Sequence, residues 1–186
     1  MIYTVECRCN NREAEPEWND FYSLKKLPAL ISVTGFLTSQ RFIADQGSEA
    51  LYLALHSIKT PAVLESEEYR LKGGGHFAKW QSYITHWHRN IYGGINVAPA
   101  VSGNEYLLMG TEDQPLVIEL GLNVTYLNAE GLDRAPQRRW MTTITESQFP
   151  KLPHPLPAHI CVYRPMTEQL TPPQMTQLAS AGERDA

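Results

Sequence analysis

Ile2–Cys9 (IYTVECRC) alternates with a period of two. Tyr3, Val5, Cys7 and Cys9 fall on one face, and Ile2, Thr4, Glu6 and Arg8 on the other, which is the pattern of a strand. In EPEWNDFYSLKKLPALISVTGF the apolar residues Trp18, Phe21, Tyr22 and Leu24 recur at helical spacing, and Pro28 bends or shortens the far end. LTSQRFIAD and ALYLALHSI read as two strands joined by the turn DQGSE. KTPAVLESEEYRLKGGG reads as a second helix, capped by Thr60, with Pro61 in its first position and the Gly73–Gly75 run ending it. WQSYITHWHRNIYGG starts helical at Trp80, Tyr83 and Ile84 and turns into a strand over Arg89–Gly94.

The order is β-α-β-β-α-β, the ferredoxin-like split pattern, which predicts an α+β half over residues 1–95 with one sheet face open. Residues 96–179 read as a diverged, incomplete second half. NEYLLMGTED is a strand, and QPLVIELGLNVTYLNAEGLD is apolar enough for a helix, although Val124, Thr125 and Tyr126 also suit a strand. QRRWMTTIT and AHICVYRP are strands, LTPPQMTQLAS repeats a Thr-Pro helix start, and no fourth strand follows it. FPKLPHPLPAH is a proline-rich connection, and residues 180–186 form a polar tail. Two open sheets facing each other predict a barrel closed within the chain, between two copies as a homodimer, or both.

Charge and composition narrow the function. A net charge of −4 without any basic cluster leaves nucleic acid no electrostatic footprint. No apolar run is long enough for a membrane helix, and the first residues carry no leader pattern. Three cysteines, an odd number, speak against a disulfide framework and for a reducing cytoplasm.

A stretch of the first half resembles the EthD-like branch of the dimeric α/β-barrel superfamily. The resemblance rests on Asn19, Asp20, Phe21, Tyr22, Pro28, Gly35, Phe36, Arg41, Phe42, the strand Tyr52–Leu53–Ala54, and Ser66, Glu68 and Tyr69. It covers residues 2–94 and implies a small-molecule pocket protein. Such barrels include cofactor-independent oxygenases, cyclases, decarboxylases and isomerases acting on aromatic or polyketide-like molecules. One departure stands out: where the resemblance implies a Glu-His pair before the proline, this chain has Lys25 and Lys26. That departure favours the alternative of a non-catalytic ligand-binding or assembly protein.

Strand alternation places Leu51, Leu53 and Leu55 beneath the helices and turns Tyr52, Ala54 and His56 into the barrel, together with Thr4, Glu6 and Arg8. His56 is then the candidate acid–base, because an imidazole titrates near neutrality, and Tyr52 the candidate donor to a developing oxyanion. Arg8 or Arg41 would hold a substrate carboxylate or enolate, unless either pairs with Glu6. Trp87 would pack and is a candidate substrate-binding residue, with His86 and His88 at the pocket mouth or in solvent. His86 and His88 share a face on a strand but are split by about 200° on a helix, so a His-x-His metal site is the weaker reading and no metal ligand set is assigned. Cys7 and Cys9 read as small core residues. KGGGH lacks the spacing of a phosphate or dinucleotide loop, and no Gly-x-Ser-x-Gly elbow occurs, so no cofactor is expected. Asn123 heads a sequon by pattern alone.

Overall fold

The computed structural model describes residues 1–45, 51–73, 79–111 and 120–173. Eight strands carry the fold: β1 (Ile2–Cys9), β2 (Phe36–Ala44), β3 (Leu51–Ile58), β4 (Ile84–Gly93), β5 (Glu105–Gly110), β6 (Thr125–Leu132), β7 (Arg138–Thr145) and β8 (Ile160–Pro165). They close into one antiparallel barrel in the order β1-β3-β2-β8-β5-β7-β6-β4. The expected ferredoxin-like α+β fold, with its dimeric α/β-barrel pairing, is therefore corrected: the molecule is mostly sheet, and its described helices are short. These are α1 (Glu15–Phe21), a π-turn (Tyr22–Lys26), α2 (Leu27–Ile31) and α3 (Glu67–Lys72).

Closure also removes the premise of a homodimer. The strands cover each other's inner faces within one chain through the β2–β8 and β4–β6 pairings, so no second copy is needed for that burial. The second group of strands is not short of a member. Thr125–Leu132 is a strand rather than part of a helix, and β8 completes the set. The expected turn at 46–49, the glycines at 74–75, the apolar stretch at 114–119, the helix beyond residue 173 and the tail lie outside the described residues.

Two further boundaries shift. The stretch after Thr60 is a 3-10 turn, Pro61–Glu65, and α3 begins only after Ser66, whose hydroxyl accepts from the Tyr69 N–H as an N-cap. β4 starts at Ile84, and only Gln81–Tyr83 forms a helical turn before it.

The barrel interior is filled. Ile2, Phe42, Leu53, Leu55, Tyr92, Leu107, Leu127, Met141 and Tyr163 meet there, and Ala98 and Val101 from the β4–β5 connection close one end. That plug is held by Gln40, which donates to the Val101 carbonyl (2.7 Å) and accepts its N–H (3.1 Å). Within this apolar space lies one ion pair. Arg139 on β7 grips Glu6 on β1 with two hydrogen bonds of 2.8 Å, and the Tyr163 hydroxyl on β8 donates to the same carboxylate (3.1 Å). Burial opposes the Arg139 charge, but Glu6 more than offsets it, so the guanidinium stays charged. A second core lies outside the sheet, beneath α1, α2 and α3, with Tyr3, Val5, Cys7, Trp18, Tyr22, Leu30, Tyr52 and Tyr69. A third covers the outer face of the second strand group, around Trp140, Ile144, Leu152 and Ile160.

Removing one member of a buried ion pair strands the other. Arg139→Met should cost about 3–5 kcal/mol in chemical denaturation, and adding Glu6→Gln should recover most of it. A loss below about 1 kcal/mol would show that the pair does not join the two strand groups energetically.

Candidate functional site

Cross-strand register decides which side chains can share a site. Antiparallel partners lie on one face, and β1 pairs with β3 as Tyr3↔His56, Val5↔Ala54 and Cys7↔Tyr52. Tyr3, Val5 and Cys7 do lie under the helices, so Tyr52, Ala54 and His56 lie there too. The expectation that these three face the barrel interior is thus corrected; Leu53 and Leu55 occupy that interior instead. Every residue of β3 after Leu51 is buried, so its two faces differ too little in polarity for alternation alone to orient it.

His56 is fully buried. Its Nδ1 lies 2.8 Å from the Ser39 hydroxyl, its ring stacks on Tyr3 at 5.4 Å, and the Phe36 ring meets its edge. Its Nε2 is buried without a hydrogen-bond partner. Burial, and then the nearby Lys26 charge, pull its pKa down to about 3, so the imidazole is neutral at physiological pH and a weak base. The Tyr52 hydroxyl donates to Glu15 (2.7 Å) and accepts from Asn19 (2.9 Å); burial and the Glu15 hydrogen bond push its pKa up. Tyr52 is thereby tied to α1.

Arg41 is also on the helix side. Its guanidinium donates to the Asn19 carbonyl (3.1 Å), the Asn19 side chain (2.9 Å) and the Ser23 hydroxyl (2.8 Å). It packs over the rings of Trp18, Tyr22 and Tyr52, at 4.3 Å from Tyr22. It fastens α1 and the π-turn to the sheet. Glu6 is taken up by Arg139, and Arg8 sits half-buried on the barrel-facing side of β1, opposite Leu51.

The open space lies elsewhere. A cavity of about 190 Å3 opens between the outer face of β1 and β4 and the helices. Tyr3, Tyr22, Lys26, Tyr69, Trp87 and Arg89 supply its aromatic and cationic wall. Of the residues singled out in the sequence for catalysis or binding, Trp87 is the one the structure brings to this cavity.

Two backbone irregularities build it. The chain winds as a π-turn from Tyr22 to Lys26, with the Leu27 N–H reaching back five residues to the Tyr22 carbonyl just before Pro28. This turn carries both Tyr22 and Lys26. Opposite, the β1–β4 register shifts between Glu6 and Arg8, and His86 takes a φ of 49°. Trp87 and Arg89, two apart on β4, reach the cavity side by ordinary alternation, and the extra residue of the bulge brings Ile84 to the same side. His86 and His88 are exposed, and His88 stands 3.9 Å from Asp133. Among the described residues no group of three His, Cys, Asp or Glu side chains is placed to hold a metal ion.

The cavity's polar groups are matched to each other. The Tyr3 and Tyr69 hydroxyls hydrogen-bond at 3.1 Å, and burial, followed by Tyr69, raises the Tyr3 pKa well above its ordinary value. Lys26 is buried (7% exposed) and donates to the Gly73 carbonyl at 3.0 Å. Burial alone lowers its pKa to about 8. No acidic residue is among the described residues that line the cavity. Periodicity within single elements could not find this set, because it is drawn from elements that meet only in the folded chain. The visible signal was chemical: Lys26 sits on the apolar stripe of a helix. Burial drives the Cys7 thiol up to about 12, so Cys7 serves as core.

No family model matches the chain, and no curated protein matches it. Solved structures share the fold. A "putative monooxygenase" from Fusobacterium nucleatum superposes with a TM-score of 0.56 at 7% identity, over 90% of this chain and 93% of that one. One from Lactobacillus acidophilus gives 0.52 at 10%, over 91% and 96%. An "anthrone oxidase-like protein" gives 0.51 at 10%, over 97% and 96%. Identities this low carry the architecture and nothing finer. None of the three is described as EthD-like, so that branch gains no support. No helix among the described residues is long and apolar enough to cross a membrane.

The His56 environment has a pH signature. Its folded pKa is depressed below the ordinary 6.5, so its contribution to stability is complete above about 6.5 and is lost as pH falls towards about 3. In acid denaturation series, His56→Gln should flatten the wild-type slope by up to about 1.4 kcal/mol per pH unit in that window. An unchanged slope would mean that the imidazole is solvated and charged in the folded protein.

Proposed function

We propose that the chain is a small-molecule enzyme that binds an aromatic acid or phenol in the cavity between β1, β4 and the helices and works without a cofactor. The observation that carries this reading is the wall itself: aromatic rings with two cations, Lys26 and Arg89, and no carboxylate among the described lining residues. Such a wall suits a planar anion, with Trp87 and Tyr22 against the ring faces and the cations at its charged end. The volume fits one ring or a fused pair, since a cavity of about 150 Å3 already holds benzene.

Oxygenation, cyclisation, decarboxylation and isomerisation of such molecules share one demand. Negative charge must be held on an enolate or phenolate oxygen while the next bond forms or breaks. Lys26 and Arg89 serve that demand beside partly buried aromatic rings, where a charge interaction is worth more than in bulk solution. The Tyr3–Tyr69 hydroxyl pair supplies neutral O–H donors for the same oxygen. Two structural neighbours are described as putative monooxygenases and one as anthrone oxidase-like, so an oxidative member of this group is the first to test. A specific observation favours the second reading, a binding protein without turnover: His56 is held neutral, buried and outside the cavity wall, which removes one obvious base.

Tryptophan fluorescence titrated with 2-naphthoate tests the site. Lys26→Met and Arg89→Met should each weaken binding about 10–100-fold, the cost of one charge-assisted hydrogen bond. Lys25→Met, at an exposed neighbour, should leave it unchanged. Absence of saturable binding by the wild type would sink the proposal. Incubating hydroxynaphthoates in air and analysing the products separates the two readings: conversion marks an enzyme, and unchanged ligand marks a binding protein.

A further inference from the structure

We propose that the Tyr3–Tyr69 hydroxyl pair is the specificity element of the cavity: it reads a ring hydroxyl that stands across the ring from a carboxylate held by Arg89, so the preferred ligands are 4-hydroxyaryl acids. The proposal rests on the reading of the cavity as a site for aromatic acids and narrows it to one ligand class.

The two ends of the site differ in their chemistry. A guanidinium only donates, so Arg89 suits a group that only accepts, a carboxylate. The hydroxyl pair both donates and accepts. It has two O–H groups, and the mutual bond of 3.1 Å uses one of them. The second O–H and the remaining lone pairs suit a hydroxyl, which is itself donor and acceptor. Burial raises the Tyr3 pKa well above its ordinary value, so this end stays a neutral donor.

The pair is also held from behind. The Tyr3 ring stacks on His56 at 5.4 Å and 25°, and the Tyr69 ring stacks on Phe36 at 6.1 Å and 12°. Phe36 meets His56 edge-on at 5.4 Å, so the four rings close a circuit through the hydroxyl bond. His56 is in turn tied to the Ser39 hydroxyl at 2.8 Å. Groups fixed before the ligand arrives cost less to order on binding.

Spacing selects the isomer. In the β1–β4 register Tyr3 lies opposite Ile91, and Arg89 lies opposite Val5. Tyr3 and Arg89 therefore leave the same sheet face two positions apart, about 6.6 Å along the strands. The Arg89 charge acts on the Tyr3 hydroxyl, so the two groups belong to one space. That separation matches substituents at opposite ends of a ring rather than neighbours on it. An ortho hydroxyl also donates to its own carboxylate, which leaves the pair less to complete.

Isothermal titration calorimetry on the whole protein compares benzoate, 4-hydroxybenzoate and 2-hydroxybenzoate, with 2-naphthoate as reference. The wild type should bind 4-hydroxybenzoate about 5–10-fold more tightly than benzoate, the gain of one neutral hydrogen bond, and 2-hydroxybenzoate no more tightly than benzoate. Combining Tyr3→Phe with Tyr69→Phe removes the pair without stranding either hydroxyl. It should erase the preference and leave benzoate affinity within about twofold. Arg89→Met should weaken all three benzoates about 10–100-fold and keep the preference. If the double variant does not fold, Tyr69→Phe alone, on α3, should at least halve the preference. Equal affinity for benzoate and 4-hydroxybenzoate overturns the proposal and leaves the aromatic-acid site standing, as does binding of 2-naphthoate but of no benzoate. A matching gain for 2-hydroxybenzoate, or a preference unchanged in the tyrosine variants, also overturns it. No binding by any of the four overturns both readings.

Discussion

A closed barrel of eight strands has room inside for side chains and little else, and everything about this site follows from how that room is used. Here the strands fill it with leucine, methionine and tyrosine, and set one ion pair at its centre. Glu6 and Arg139 lie 133 positions apart in sequence, so their contact ties the first strand to the seventh across the interior. A buried pair gives little net stability over an apolar core of the same shape, but it penalises every arrangement in which either charge loses its partner. That penalty fixes which residues of β1 and β7 point inward. The ligand space is displaced to the other side of the sheet, where short helices leave a gap over β1 and β4.

Those helices have too few residues to stand alone and depend on what they pack against. Arg41 anchors them. It is a buried cation whose observed partners are backbone and side-chain oxygens of α1 and the π-turn, and three aromatic rings. A guanidinium can donate in several directions within one plane while its faces stack, which an ammonium cannot do. By holding Asn19 and Ser23 it sets the origin of the π-turn, and the π-turn sets where Tyr22 and Lys26 emerge. Gly73 completes the frame: its carbonyl receives Lys26, and a Cβ added there would lie 2.2 Å from the Leu30 side chain. A side chain at this position would have to displace Leu30.

Much of the strand content is legible in the chain, because Ile2–Cys9 alternates cleanly and Arg138–Thr145 and Ile160–Pro165 are bounded by turns and prolines. The facing of β1 is legible for the same reason. The facing of β3 is not: in LYLALHSI the leucines look like the face beneath the helices, yet Tyr52 and His56 take that face through pairing with Cys7 and Tyr3. Register is a long-range property, and hydropathy within one strand does not encode it when both faces are buried. The architecture is missed by a related ambiguity. Thr125–Leu132 follows an apolar stretch and can be taken for helix, which leaves the second group one strand short and suggests an open sheet in need of a partner. Once that segment is a strand, the sheet closes on itself. The cavity residues escape for a third reason: Tyr22 and Lys26, and Trp87 and Arg89, keep their local spacing, but the elements that carry them meet only in the folded chain.

Lys26 shows how such a site can be read physically after the pattern fails. A lysine on the apolar stripe of a helix is costly to bury in its charged form, and a purely structural role would favour a residue without that cost. One hydrogen bond of its Nζ goes to the neutral Gly73 carbonyl. The consequence is an amine balanced between its two protonation states, beside an open cavity and within a cationic, aromatic wall. An anionic ligand would tip it towards the ammonium form and be held by the charge. That makes the electrostatics of the cavity wall, rather than any single side chain, the property on which function rests.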